Sequence, residues 1–107
     1  MKNATRTKPT RLGEKLQHIR TALGLSQTEI LERLGFSEVL FRSNISQYEL
    51  GAREPPLLIL LAYAEVAGVW VDVLINDDLD LPAQLPGTPK HEGIRRSAGR
   101  ARRQRQR

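Results

Sequence analysis

The chain has 107 residues, no cysteine and two histidines, His18 and His91, which sets aside a disulfide framework, a thiol nucleophile and any usual zinc ligand set. Its formal net charge of +5 is unevenly spread: residues 1–10 carry +3 and residues 82–107 carry +7, whereas residues 54–81 carry −6, so the basicity belongs to the two ends. The longest apolar run, Leu57 to Ala62, is far shorter than the ~20 residues that span a bilayer, and the polar, basic start Met1 to Pro9 lacks the apolar segment of a signal peptide.

Residues 1–9 read as a flexible basic arm. Leu12, Leu16, Ile19 and Leu23 recur at i, i+4, i+7 and i+11, which predicts a helix from about Thr10 to Leu23 with these side chains inward. Thr10 is its candidate N-cap, Gly13 weakens it, and Gly24 sits where a left-handed C-terminal residue belongs. Ser26 and Glu29 have the spacing of a capping box and open a second helix, Gln27 to Leu34, with Ile30, Leu31 and Leu34 inward and Gly35 as its stop. A third helix covers Ser43 to Leu50, with Ile45, Tyr48 and Leu50 inward and Gly51 as its stop. Pro55 and Pro56 open a fourth, running to Ala67 with Leu57, Leu60, Leu61 and Ala64 inward. Val69 to Ile75 is apolar and β-branched, and periodicity leaves a short helix and a strand equally open there. The Pro- and Arg-rich remainder lacks the apolar content of a core and reads as disordered. The chain therefore divides into an arm (1–9), one all-α domain (10–80) and a basic tail (81–107).

Two short helices joined through a glycine, the second beginning with small polar residues, describe a helix-turn-helix, in which one helix braces and the next offers its N-terminal residues to base edges. The strings Gly24-Leu25-Ser26-Gln27-Thr28-Glu29-Ile30 and Ile45-Ser46-Gln47-Tyr48-Glu49-Leu50-Gly51-Ala52-Arg53-Glu54-Pro55, together with Ala67-Gly68-Val69, resemble the XRE/Cro-repressor family over about residues 11–77. The resemblance implies a five-helix, lambda-repressor-like domain that regulates transcription, as a repressor, by binding double-stranded DNA as a symmetric homodimer. It implies phosphate contacts from Gln27, Thr28 and Arg53, base contacts from Arg42, Ser43, Asn44, Ser46 and Gln47, and a structural ion pair between Arg20 and Glu49. The chemistry agrees: Arg suits guanine O6 and N7, and Asn and Gln suit adenine N6 and N7. The implied setting is bacterial or phage cytoplasm, associated with the nucleoid.

Two departures stand out. The spacing from Gly35 to Ile45 exceeds the family's usual one by about one helical turn. Either the turn is wider, with Phe36, Val39, Leu40 and Phe41 folding back onto the core, or the third helix starts early, capped by Ser37. Trp70 also stands where the family often has a Ser or Thr cap, which points to a poorly capped last helix or to a dimer interface. His18 reads as a helix-surface residue.

No paired carboxylates, nucleophile triad, metal set or phosphate loop argue for an enzyme, and no cofactor is expected. Two other readings remain open. One is an antitoxin- or adaptor-like module that binds a protein partner through the acidic 54–80 surface or Trp70. The other is non-specific nucleic-acid binding by the Arg-rich tail, which adds affinity without sequence choice. No membrane role is expected.

Overall fold

The computed structural model describes residues 8–86, so the first seven residues of the arm and the Arg-rich tail lie outside the described residues. Five helices follow in order: α1 (Leu12–Ala22), α2 (Gln27–Leu34), α3 (Arg42–Leu50), α4 (Leu57–Ala67) and α5 (Val71–Ile75). Among the described residues there is no strand, and within Val69 to Ile75 the last five residues form a short helix. None of the helices is long and apolar enough to cross a membrane.

α1 runs as its apolar spacing predicts, with Leu12, Leu16 and Ile19 buried and Leu23 partly buried against the core. Its start is different. Arg11, not Thr10, occupies the N-cap position, and it makes no side-chain cap bond. The acceptor comes from beyond α5. The Asp77 carboxylate accepts from the Thr10 N–H at 2.9 Å, the Thr10 hydroxyl at 2.8 Å and the Arg11 N–H at 3.1 Å. A carboxylate at a helix start meets free N–H groups and the positive end of the helix dipole. Those three bonds hold the Asp77 carboxyl below its ordinary range, the Thr10 N–H chiefly.

The C-terminal end of α5 is itself tied to the same helix. Lys15 is buried, and its ammonium donates to the carbonyls of Val73 (2.8 Å), Asn76 (2.9 Å) and Leu79 (2.7 Å). A cation here satisfies carbonyls that the helix end leaves without partners. Burial pulls the Lys15 amine below its ordinary value. Arg11 adds bonds to the Asp77 carbonyl and the Asp80 carboxylate, each at 2.8 Å.

Gly13 has a role beyond weakening α1. A Cβ there would lie 2.6 Å from the Glu49 carbonyl oxygen and 3.0 Å from that of Tyr48. α1 and α3 thus cross backbone to backbone, and only glycine leaves room.

α4 turns inward a face that matches the expected one at Leu60 and Ala64 but not at Leu57 and Leu61. Ile59, Leu60, Tyr63, Ala64 and Ala67 are buried, whereas Leu57, Leu58 and Leu61 are exposed. The segment Leu-Leu-Ile-Leu-Leu-Ala-Tyr-Ala is apolar all round, so periodicity has no polar stripe from which to find the outer face. α5 follows Trp70, which makes no side-chain cap bond and leaves its ring in water. Leu74 is fully buried, and after α5 Leu81 packs against the core and Leu85 is buried. Each fully buried aliphatic side chain, Leu16, Ile19, Ile30 and Ile45 among them, contributes about 1.5–3 kcal/mol through removal from water.

Candidate nucleic-acid interface

α2 is set by local chemistry. Ser26 Oγ accepts from the Glu29 N–H at 3.0 Å, and Glu29 Oε1 accepts from the Ser26 N–H at 2.8 Å, closing the capping box. Gly35 then ends α2 in the left-handed conformation.

Residues 36–41 form a wide turn, and α3 begins at Arg42 rather than at Ser37. The Phe36 carbonyl accepts from the N–H groups of Val39 (3.0 Å) and Leu40 (2.9 Å). Phe36 and Leu40 pack against the core, but Val39 and Phe41 do not; both are exposed. Six residues cannot all face inward while crossing the end of a helix: Phe36 and Leu40 do, and the other four are exposed.

α3 buries Ile45 and Tyr48, and burial raises the Tyr48 phenol above its ordinary value. Arg42, Ser43 and Gln47 are exposed on the opposite side, with Asn44 and Ser46 half-buried. Asn44 serves the start of its own helix, since its carboxamide oxygen accepts from the Phe41 N–H at 2.8 Å. The two-bond pairing with adenine that its residue type suggests needs that same oxygen. Leu50, at the end of the helix, is exposed rather than inward.

A polar chain runs behind this face. Arg20 on α1 and Glu49 on α3 form a two-point ion pair, Nε to Oε2 at 2.6 Å and Nη2 to Oε1 at 3.0 Å. Their side chains are 15% and 4% exposed, so water screens the pair little. A further Arg20 N–H donates to the Leu25 carbonyl at 3.1 Å, which ties in the turn before α2. Gln27, the first residue of α2, donates to Glu49 Oε1 at 3.2 Å and accepts from Arg42 Nη1 at 3.2 Å. One carboxamide thus links the buried pair to the first residue of α3, with its oxygen and an N–H both engaged. Thr28 is exposed beside it.

Arg53 lies beyond the left-handed Gly51, exposed, and it shares one surface groove with Lys8, Pro9 and Tyr48. The structure therefore collects Gln27, Arg42 and Glu49 into one network and places Arg53 with the arm at the far end of α3. The features missed from the sequence are the Phe41–Asn44 clasp, the Lys15 anchor and the Asp77 cap. Lys15 did carry a signal: it lies on the same face as Leu12, Leu16 and Ile19. Phe41 and Asp77 carried none.

A helix-turn-helix with a braced second helix defines the class. The family described as a helix-turn-helix domain matches residues 11–76, more than half of the chain, and the chain belongs to that family, in keeping with its XRE-like motifs. Among curated proteins it is similar to the SPbeta prophage-derived uncharacterized HTH-type transcriptional regulator YonR of Bacillus subtilis (strain 168). The two are 35% identical over 64 residues, which cover 60% of this chain and 56% of that protein, so the match spans little more than half of the relative's length.

Proposed function

We propose that this protein is a sequence-specific DNA-binding regulator of transcription, acting as a repressor, that lays α3 in the major groove. The observation that carries the reading is the exposed row Arg42, Ser43 and Gln47 on a helix whose first residue is braced through Gln27 to a buried ion pair. A braced donor set loses little freedom on binding, which favours reading over mere attraction. Arg42 and Gln47 read base edges, with Ser43 and Ser46 beside them and Asn44 limited to donation through its amide nitrogen. Thr28 and a remaining Gln27 N–H meet phosphate at the start of α2, and Arg53 with Lys8 meets it at the other end of α3.

The active species in this reading is a homodimer, which sets two recognition helices ~34 Å apart on one face of the duplex. Exposed Leu57, Leu58, Leu61 and Trp70 support self-association, since apolar surface of this kind is a common interface. The test is selection from random-sequence DNA with the full chain, in parallel with an Arg42→Ala, Gln47→Ala variant. Salt and competitor are set high enough to suppress non-specific attraction. The reading expects one enriched motif with two-fold symmetry, lost in the variant. Retention of the motif by the variant refutes it.

A further inference from the structure

The wide turn leaves two large apolar side chains in water beside the polar face of α3: Val39 is 69% exposed and Phe41 75%. A lone exposed apolar residue is ordinary on a protein surface. Phe41 differs because it is held. Its N–H donates to Asn44 Oδ1 at 2.8 Å, and its carbonyl accepts from the Asn44 N–H at 2.9 Å. Its backbone is extended, at φ −112° and ψ 162°. On the other side, Leu40 packs against the core, and its N–H is bonded to the Phe36 carbonyl. The root of the ring is thus fixed from both directions while the ring stays in solvent. The same turn does pack one aromatic, Phe36, partly buried against the core, so a ring can be accommodated inward there. The residues that follow Phe41 are Arg42 and Ser43, the exposed polar start of α3, with the Arg42 guanidinium fixed to Gln27.

We propose that Phe41 is a base-reading residue whose ring packs on the C5-methyl group of a thymine in the major groove, at the edge of the stretch read by Arg42 and Gln47. The inference rests on the DNA-binding reading of α3 and deepens it. Thymine presents the one apolar group on the major-groove floor, and apolar side chains distinguish it there. A recognition helix that enters N-terminus first brings its N-cap residue to that floor with its first turn. Asn44 is then a positioning residue: its carboxamide oxygen holds the Phe41 backbone and does not itself read a base.

The test uses the full chain and the DNA site obtained by selection. Each thymine of the site is replaced in turn by deoxyuridine, which lacks only the methyl group, and dissociation constants are measured at fixed salt by fluorescence anisotropy. At one or two positions the replacement weakens wild-type binding by about fourfold, the transfer energy of one methyl group. At those positions Phe41→Ala binds both duplexes alike, while Phe41→Leu keeps part of the difference. Thermal unfolding of both variants, expected to match the wild type because the ring is exposed, separates loss of reading from loss of fold. If Phe41→Ala unfolds early, Phe41→Leu alone carries the comparison. Wild-type binding that ignores deoxyuridine at every position overturns the proposal, as does a Phe41→Ala variant that keeps the thymine preference. In either case loss of the site in Arg42→Ala, Gln47→Ala leaves the DNA-binding reading standing. Failure to select any site overturns both.

Discussion

Replacing Gly13 by alanine sets two effects against each other. Alanine favours a helix over glycine by ~1 kcal/mol, so a surface glycine in α1 would gain from the change. At Gly13 the new Cβ lies 2.6 Å from the Glu49 carbonyl oxygen, and ordinary contact begins near 3.4 Å. Both flanking atoms are backbone, so no side chain can rotate away, and α1 and α3 must part by about 0.8 Å at their crossing. Overpacking of this kind costs about 1–3 kcal/mol, and the net loss is about 1 kcal/mol. For a domain of this size that lowers the melting temperature by roughly 4–8 °C. The residue displaced is Glu49, whose carboxylate holds Arg20 and Gln27, so the start of α3 shifts with it. Thermal unfolding followed by circular dichroism reads the first effect, with the exposed α1 substitution Gln17→Ala as a control that leaves the melting temperature nearly unchanged. A Gly13→Ala protein that melts at or above the wild-type temperature refutes the close crossing of α1 and α3.

Two further substitutions test other parts of the structure. Tyr63 is fully buried with its hydroxyl lacking a hydrogen-bond partner among the described residues, and burial drives its phenol well above the ordinary value. Such a group carries a desolvation penalty of about 1–3 kcal/mol, so Tyr63→Phe leaves stability unchanged or raises it in urea unfolding; a clear loss would mean that the hydroxyl has a partner. Asp77 has a carboxyl held below its ordinary value by bonds from Thr10 and Arg11. Its stabilisation is therefore fully present above the ordinary carboxyl value and is lost as pH falls through the lowered one. Asp77→Asn melts lower than the wild type at neutral pH, and the gap narrows below about pH 4; a gap that persists unchanged in acid contradicts the charge-based cap.

What could be read from the sequence divides along one physical line. Ser26 with Glu29, Gly35 and Gly51 act within a turn of where they stand, so their spacing announces the ends of α2 and α3. Leu12, Leu16 and Ile19 show their face because charged neighbours mark the other side of α1. In α4 a single charge, Glu65, stands near the helix end with none along residues 57–64, and Leu57 and Leu61 read as inward although they are exposed. Thr10 looks like a cap because its residue type suits one, but the carboxylate it meets lies 67 residues later and only the folded chain brings it near. At the candidate site, residue types point to Arg42 and Gln47, whereas two assignments change meaning. Gln27 is half-buried and engaged as a link, and the Asn44 carboxamide oxygen is taken by the backbone of Phe41. Both depend on the wide turn at residues 36–41, which has no hydrophobic period to betray its shape.

The bonds from Thr10, Arg11 and Lys15 to residues 73–80 close the described domain into a ring, its first helix fastened to its last. A closed ring has no free end from which to fray. Opening α5 strips the cap from α1, and opening α1 releases the carbonyls of α5, so the two helices share one unfolding event even though they are the first and last of the described helices. Amide hydrogens at the start of α1 and the end of α5 should then exchange at a common rate. A fragment cut before Asp77 loses the cap of α1 and the buried Leu85 together, and should melt lower than the full chain.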